Sequence, residues 1–283
     1  MADWDIRDGI FRVPKDLARV PRHPETAEKL FQGVNAAIKR VLRLQGITIT
    51  VEGAEHIPAT GGALVAMNHT GYYDFAFMQV PPHIRGKRLV RFMAKREVFD
   101  IPVVGRVMRM MDHVSVDRSA GAASVGEAVR ELERGRIVGI FPEATISRSF
   151  ELKSFKNGAV RIARQAGVPL VPMVCWGSQR IWTKGGDKRL GRIKTPVWIR
   201  VGEPLELTGE VDRDIATLRE TMQAMIDDVR AAYAREYGPF EKHADWLPAA
   251  LGGAAPTLAE ADAMDAADKA EKQRAKKQQK KKK

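Results

Sequence analysis

Two residues in the stretch "LVAMNHTGYYDF" suit proton transfer, because His69 follows a short apolar run and Asp74 comes five residues later. On a regular helix, five residues place two side chains about 140° apart, so they would not share a face. They can meet if His69 lies in a loop and Asp74 in the first turn of the next helix, and Gly71 eases that turn. Asp74 would then orient the imidazole while its other nitrogen takes a proton, which is the work of a general base. Taken alone, the pair also suits a plain capping or loop role.

Polar residues also follow two other predicted strands. Glu143 and Thr145 lie in "GIFPEATIS", and Asp117 and Arg118 lie in "HVSVDRSAG". In open α/β sheets, reactive groups lie just beyond the carboxyl ends of the strands. Each residue alone suits a salt bridge or a loop cap. Together they predict one site with a base, a cation for an anionic substrate and polar positioning groups.

Strand-like and helical stretches alternate from Ile47 onward. The strand-like stretches are rich in Val and Ile, and they read "ITITVEG", "GALVAM", "RLVRFMAK", "HVSVD", "RIVGIFP", "VPLVPMVCW" and "VWIRVGEP". Helical stretches are predicted at residues 72–80, 123–134, 157–165 and 212–236. This alternation predicts an α/β fold, a layered αβα domain with a central mixed, largely parallel sheet.

Three parts of the chain differ in pattern. Residues 1–46 form a lead-in followed by an amphipathic helix with Phe31 and Leu42 on its apolar face, which either packs on the domain or meets lipid. Residues 47–248 form the predicted domain. Residues 249–283 have almost no large apolar side chain, so they are predicted to be a disordered basic tail or a solvated helix.

The net charge of +12 lies mainly in the tail, where residues 269–283 carry eight lysines and Arg274 against Glu271, giving +8. The start of the chain lacks the apolar core of a signal peptide, and no apolar run approaches the roughly 20 residues that span a bilayer. The single cysteine, Cys175, fits a reducing compartment and is predicted to be a buried strand residue. We therefore expect a cytoplasmic protein, peripheral on the inner face of the cell membrane.

Four blocks of the chain, spread over residues 47–207, resemble the glycerol-phosphate and lysophosphatidic acid (1-acyl-glycerol-3-phosphate) acyltransferase family. In order they are "NHTGYYD", "VDR", "FPEATIS" and "VPM", which resemble the family's His-x-x-x-x-Asp block, its block ending in a phosphate-binding arginine, its Phe-Pro-Glu-Gly-Thr-Arg-Ser block and its Val-Pro block.

The resemblance implies transfer of an acyl group from acyl-CoA or acyl carrier protein to a hydroxyl of a lysophospholipid, with no cofactor and no metal. His69 would deprotonate the hydroxyl and Asp74 would orient His69. Arg118 would hold the acceptor's phosphate through its paired donors. Glu143 with Thr145 would shape the same pocket. Asn68 would fix the loop or the oxyanion.

Two residues of the third block depart from the family pattern, Ala144 where glycine is usual and Ile146 where arginine is usual. The missing arginine leaves other lysolipid or glycolipid acceptors open, and Arg148 or Lys153 is a candidate replacement for its charge.

Other functions remain open: a non-catalytic lipid-binding protein, a metal-dependent hydrolase, and a nucleic-acid-binding protein acting through its tail. No recognisable nucleic-acid module accompanies the tail, so nucleic acid is not expected as a partner. A polybasic contact with an anionic membrane is preferred.

Overall fold

Nine strands form one sheet in the part of the chain that the computed structural model describes, residues 3–117 and 121–281. They are β1 (Trp4–Arg7), β2 (Phe11–Pro14), β3 (Thr48–Glu52), β4 (Ala63–Met67), β5 (Val90–Lys95), β6 (Val114–Val116), β7 (Ile137–Ile140), β8 (Leu170–Trp176) and β9 (Pro196–Val201). Their spatial order is β1-β2-β3-β9-β8-β4-β7-β5-β6. The pairs β1–β2 and β8–β9 are antiparallel, whereas the other neighbours are parallel. The predicted mixed, largely parallel sheet is confirmed.

Helices cover both faces of this sheet. They are α1 (Lys29–Leu44), α2 (Asp74–Met78), α3 (Val80–Ile84), α4 (Arg96–Phe99), α5 (Pro102–Met110), α6 (Gly121–Glu133), α7 (Gly158–Ala166), α8 (Val211–Tyr237) and α9 (Leu258–Lys281). Side chains of α1, α2 and α3 join one apolar cluster on the sheet, and those of α6, α7 and α8 join the other. All five residues of β4 are buried, as expected for a strand covered on both faces. The layered αβα prediction is therefore confirmed.

The ends of the chain differ from their sequence predictions. Part of the lead-in forms β1 and β2, and β2 pairs in parallel with β3 through Phe11 and Ile49. Two short helices, α2 and α3, replace the single helix predicted at residues 72–80. The short helices α4 and α5 come between β5 and β6, where no helix was predicted.

Of the two alternatives predicted for the basic tail, disorder or a helix, the structure has the helix, because residues 258–281 form α9. Thr257 and Glu260 exchange hydrogen bonds at its start, the reciprocal pattern that caps a helix N-terminus. Ala261 is the only fully buried residue among the described side chains of α9. Ion pairs to the domain hold the helix in place of an apolar face, and such long-range pairs leave no periodic signal in the sequence.

None of the described helices combines the length and the apolar character needed to cross a membrane.

Candidate active site

His69 lies in the loop that follows β4, and Asp74 is the first residue of α2. The imidazole Nδ1 lies 2.9 Å from Asp74 Oδ2, so the contact expected from the sequence is formed. Asp74 is fully buried, whereas about a fifth of the His69 side chain is exposed. The Nδ1 contact leaves Nε2 as the ring nitrogen that is able to exchange a proton with a bound molecule.

The carboxylate of Asp74 is fixed by several donors besides His69. The backbone N–H groups of Thr70 and Gly71 donate to Oδ2 over 2.7 and 2.8 Å, and the hydroxyl of Ser178 donates to Oδ1. A Cβ at Gly71 would lie 3.0 Å from the carbonyl oxygen of Ser178 and 3.1 Å from that of Trp182, so a larger residue there would crowd the loop. The loop and the residues after β8 therefore hold Asp74 in one orientation.

The imidazole of His69 also stacks on a neighbouring aromatic ring. Its centroid lies 4.0 Å from that of Phe141, with the two planes 15° apart. Phe141 follows β7, which pairs with β4, so the loops after these strands meet. The N–H of Ser147 donates to the carbonyl of His69 over 2.7 Å and joins the same two loops again.

Glu143 holds the His69 loop through hydrogen bonds to backbone N–H groups. Its buried carboxylate accepts the backbone N–H of His69 at 2.8 Å and that of Lys153 at 3.0 Å. Burial raises the pKa of Glu143 to about 8, although these two hydrogen bonds act to lower it. Glu143 thus supports the loop that carries the histidine, and its predicted part in shaping the substrate pocket stays a prediction.

Asn68 has a similar supporting place. Its amide N–H donates to the carbonyl of Cys175 at 3.0 Å, and its amide oxygen accepts the N–H of Cys175 at 2.7 Å. Asn68 thus ties the end of β4 to β8. Of its two expected roles, the geometry matches fixing the loop. The Cys175 side chain is fully buried, and burial raises the pKa of its thiol well above the ordinary value.

A cavity of about 1020 Å³ opens beside His69. Among the described residues that line it, His69 and Thr145 are present, while Asn68 and Glu143 are not. Its walls are mainly apolar, with side chains from α1, α3 and α5 such as Phe31, Val80 and Val107. Its volume is at the upper end of the range of about 300–1,000 Å³ for small-molecule pockets.

Four lysines and an arginine add positive charge to the cavity wall: Lys39, Lys95, Lys156, Arg161 and Lys184. The cavity therefore combines space for an apolar chain with basic side chains, of which Lys39 and Lys184 already form ion pairs with carboxylates.

The end of β6, which carries Asp117, is not next to the end of β7, which precedes Glu143. The strand β5 lies between them in the sheet. Asp117, after β6, lines the same cavity and contacts Arg96 at 2.9 Å. Arg118 lies outside the described residues, so its predicted role stays a prediction.

Sequence reasoning missed Ser178 and the stacking of Phe141. Ser178 is 104 residues from Asp74 in the chain. Phe141 is part of the "FPEATIS" block, but the contact with His69 depends on β4 and β7 being neighbours. No local pattern of residue types carries either relationship.

Comparison with known proteins places this geometry in a family. A family model described as Acyltransferase matches residues 48–176. The 1-acyl-sn-glycerol-3-phosphate acyltransferase of Bacillus subtilis is 32% identical over 175 residues, which are 60% of this chain and 79% of that protein. The chain belongs to the 1-acyl-glycerol-3-phosphate acyltransferase family.

For other members of this acyltransferase family, the match covers a smaller share of the relative's length than the 79% found for the Bacillus subtilis protein. Proteins called 1-acyl-sn-glycerol-3-phosphate acyltransferase from Limnanthes douglasii and Borreliella burgdorferi are 35% and 31% identical, over 51% and 53% of this chain. The chain spans 51% and 60% of these two relatives.

The crystal structure of the 1-acyl-sn-glycerophosphate (LPA) acyltransferase PlsC from Thermotoga maritima has a similar fold. It matches with a TM-score of 0.59 and 25% identity, over 75% of this chain and 85% of the other.

Proposed function

We propose that this chain transfers a fatty acyl group from a thioester, acyl-CoA or acyl carrier protein, to a free hydroxyl of a lysophospholipid, most directly 1-acyl-glycerol-3-phosphate, in phospholipid synthesis. The observation that carries the proposal is the His69–Asp74 contact of 2.9 Å at the wall of a large, mainly apolar cavity. The names of the relatives support the same acceptor.

In the proposed reaction, His69 Nε2 takes the proton of the acceptor hydroxyl as its oxygen attacks the thioester carbonyl. Asp74 stabilises the imidazolium that forms. The carbon–sulfur bond then breaks, and the thiolate leaves and takes the proton back from His69. The acyl group passes directly to the acceptor, so the scheme includes no acyl-enzyme, no metal and no cofactor.

The acceptor is proposed to place its phosphate near Arg118 and its glycerol hydroxyl beside His69. Thr145 lines the cavity and is the polar side chain of the third block best placed to contact it. Ile146 is buried where the family usually has arginine. Another lysolipid or a glycolipid is therefore the second candidate acceptor, and lipid binding without turnover is a further alternative.

Purified protein is to be incubated with a labelled long-chain thioester and a panel of lysolipids, with His69→Ala as the matched control. We expect a labelled diacyl product from the parent protein and none from the variant. Product from an acceptor that lacks phosphate would favour the second candidate. Binding of lysolipid with no product from either donor would favour the lipid-binding alternative.

We also propose that the protein docks on the inner, anionic face of the cell membrane. Exposed apolar side chains lie on the helices that line the cavity, with Leu44 of α1 68% exposed and Val103 and Met110 of α5 76% and 60% exposed. An apolar rim around a lipid-sized cavity suits a membrane surface. The +8 of residues 269–283 would add attraction to anionic lipid.

Vesicle co-sedimentation separates the two contributions to membrane binding. Deleting residues 269–283 should weaken binding to anionic vesicles at low salt, and high salt should have the same effect on the full chain. Val103→Ser should weaken the binding that remains at high salt. Neutral vesicles should not distinguish the truncated protein from the full chain. Equal binding of both proteins to anionic vesicles would remove the tail from the proposal.

A further inference from the structure

Three cations converge beside the candidate active site. Arg148 and Lys153 lie in the segment after β7, and Lys184 lies in the segment after β8. Their side chains are largely covered, with exposed fractions of 13%, 9% and 22%. Such close like charges repel one another unless anions lie between them.

The two segments that carry these cations also hold the His69 loop. The N–H of Lys153 donates to Glu143, and the hydroxyl of Thr183, the residue before Lys184, donates to the carbonyl of Thr70 over 2.7 Å. Lys184 itself lines the cavity. Lys153 itself, and the residue that precedes Lys184, therefore contact groups that position the candidate base.

In the described part of the chain, the carboxylates that form ion pairs with the cluster belong to α9. Asp265 contacts all three cations, with its carboxylate 2.5 Å from Lys184 Nζ, 2.7 Å from Lys153 Nζ and 3.5 Å from Arg148 Nε. Asp268 contacts Arg148 at 2.7 Å and Lys184 at 3.0 Å. One carboxylate among three cations from two loops is an arrangement suited equally to an oxyanion of a phosphate group.

The docking of α9 rests on these charges more than on apolar packing. Among the side chains of α9 that the structure describes, only the methyl group of Ala261 is fully buried, whereas Met264 is 40% exposed. Burial acts to raise the pKa of Asp265, but hydrogen bonds from Lys153 and Lys184 outweigh it and the pKa is lowered. An ionic contact of this kind is open to competition from another anion and from salt.

We propose that Arg148, Lys153 and Lys184 form a second anion site for the phosphate of the acceptor, in addition to the contact expected from Arg118, and that Asp262, Asp265 and Asp268 of α9 occupy it as an internal competitor. The proposal rests on the proposed function for the identity of the acceptor. Undocking of α9 frees Lys184 to turn its ammonium group into the cavity. The site compensates for Ile146, which stands where the family usually has an arginine.

The test replaces Asp262, Asp265 and Asp268 together with asparagine in the full chain, which keeps the side-chain size and removes the competing charge. Binding of inorganic phosphate and of glycerol 3-phosphate is measured by calorimetry at constant ionic strength. If α9 is undocked in about one molecule in ten, both ligands should bind up to about 10-fold more tightly to the variant. The single variant Asp265→Asn should show part of the same gain, and it serves if the triple variant does not fold.

Two controls make the result specific to the cluster. Asp245→Asn removes an exposed ion pair to Arg189 elsewhere on the surface and should leave phosphate binding unchanged. Adding Lys153→Gln and Lys184→Gln to the triple variant should abolish its increase in phosphate affinity. A gain that survives these two changes would mean that the phosphate binds at another site, and the proposal would be wrong.

Movement of α9 is read from a spin label on Met264→Cys, since the native Cys175 is fully buried and should label slowly. Glycerol 3-phosphate should mobilise the label, whereas chloride at equal ionic strength should do so less. If phosphate affinity is unchanged in both asparagine variants and the label stays immobile, the proposal is wrong. The ion pairs would then only hold α9 on the domain.

The transferase assay keeps failure of this inference separate from failure of the proposed function. Product formation by the parent protein with no gain in phosphate affinity in the variants would reject the inference alone. Tighter phosphate binding by the variants, with no transfer by any protein, would support the anion site and reject the proposed function.

Discussion

The imidazole of His69 lies nearly flat on the ring of Phe141, with centroids 4.0 Å apart and an angle of 15° between the planes. The hydrogen bond to Asp74 fixes the ring at Nδ1, and the stack limits its tilt. Two contacts of different kinds thus restrict the position of Nε2 beside the cavity. A general base needs this restriction, because small displacements of a reacting group slow a reaction strongly.

Replacing His69 with alanine should abolish acyl transfer while the protein stays folded, because the hydroxyl loses its proton acceptor. A general base typically contributes about 10²–10⁴-fold, so the rate should fall by at least about 100-fold. Asp74→Asn should cost much of the same factor. Thioester release with a lysolipid acceptor measures both, and circular dichroism checks the fold. Near-normal turnover by folded His69→Ala protein would rule out the mechanism.

Ser178→Ala should lower kcat by about 10-fold or less and leave the acceptor KM unchanged, since Ser178 holds Asp74 rather than substrate. The lost hydrogen bond should reduce the free energy of unfolding by about 1–3 kcal/mol. Its steady-state kinetics, pH–rate profile and urea unfolding are to be measured beside Thr50→Val. Thr50 has a buried hydroxyl without a hydrogen-bond partner among the described residues, so its removal should leave kcat unchanged and should not lower the free energy of unfolding. A pH–rate profile identical to that of the parent protein would contradict the positioning role.

Ala144→Gly should stabilise the protein, because Ala144 has a φ of +59° in the turn before Thr145. The left-handed conformation costs an alanine about 1–2 kcal/mol, and glycine loses part of that gain through its more flexible unfolded state. We expect a net increase of roughly 0.5–1 kcal/mol in the free energy of unfolding. Ala231→Gly, in the interior of α8, should instead destabilise by about 1 kcal/mol. Equal losses in the two variants would show that the turn is unstrained.

Much of the frame around the site was predictable from local patterns. The apolar run before His69 forms β4, and the short loop to Asp74 allows the contact that spacing on a helix forbids. Ala144 was identified as a departure from a glycine, and its positive φ gives that departure a physical meaning.

The rest depended on contacts between distant parts of the chain. Ser178 reaches Asp74 only after β8 has aligned beside β4. The strand β1 is only four residues long, and α9 has no apolar stripe, so neither element gives a sustained periodic signal. Glu143 was expected to shape the substrate pocket, and its hydrogen bonds from the backbone N–H groups of His69 and Lys153 join positions that are far apart or differently placed in the chain.

Glu143 should make stability depend on pH. Its carboxyl group ionises near 4.5 in the unfolded chain, whereas burial raises its pKa in the folded protein to about 8. The folded state therefore binds more protons between these values, and its free energy of unfolding should fall as the pH rises from 4.5 to 8.

The measurement is the difference in unfolding free energy between the parent protein and Glu143→Gln, followed across that pH range. As the pH rises, the free energy of unfolding of the parent protein should fall relative to that of Glu143→Gln, because glutamine does not titrate. Glu241→Gln, at an exposed position, controls for general effects of charge. A difference that stays constant with pH would contradict the raised pKa.

Arg118→Ala should raise the KM for a phosphorylated acceptor far more than the KM for the thioester, because Arg118 is expected to hold the acceptor's charge. Steady-state kinetics with each substrate varied in turn measure the two effects. Arg189→Ala removes an exposed arginine that pairs with Asp245, and it should alter neither constant. Equal effects of Arg118→Ala on both substrates would assign Arg118 a structural role.

The pairing of β3 with β9 has a consequence for how this chain folds on the ribosome. Thr48 pairs with Pro196, so one edge of β3 stays unpaired until about 150 further residues have been synthesised. At 5–20 residues per second, that delay is roughly 7–30 s. Strands β4 to β8 can assemble meanwhile, which leaves two unjoined half-sheets with open edges. Until β9 is translated and inserted between them, β3 and β8 each present an unpaired edge of the kind that favours pairing with another chain.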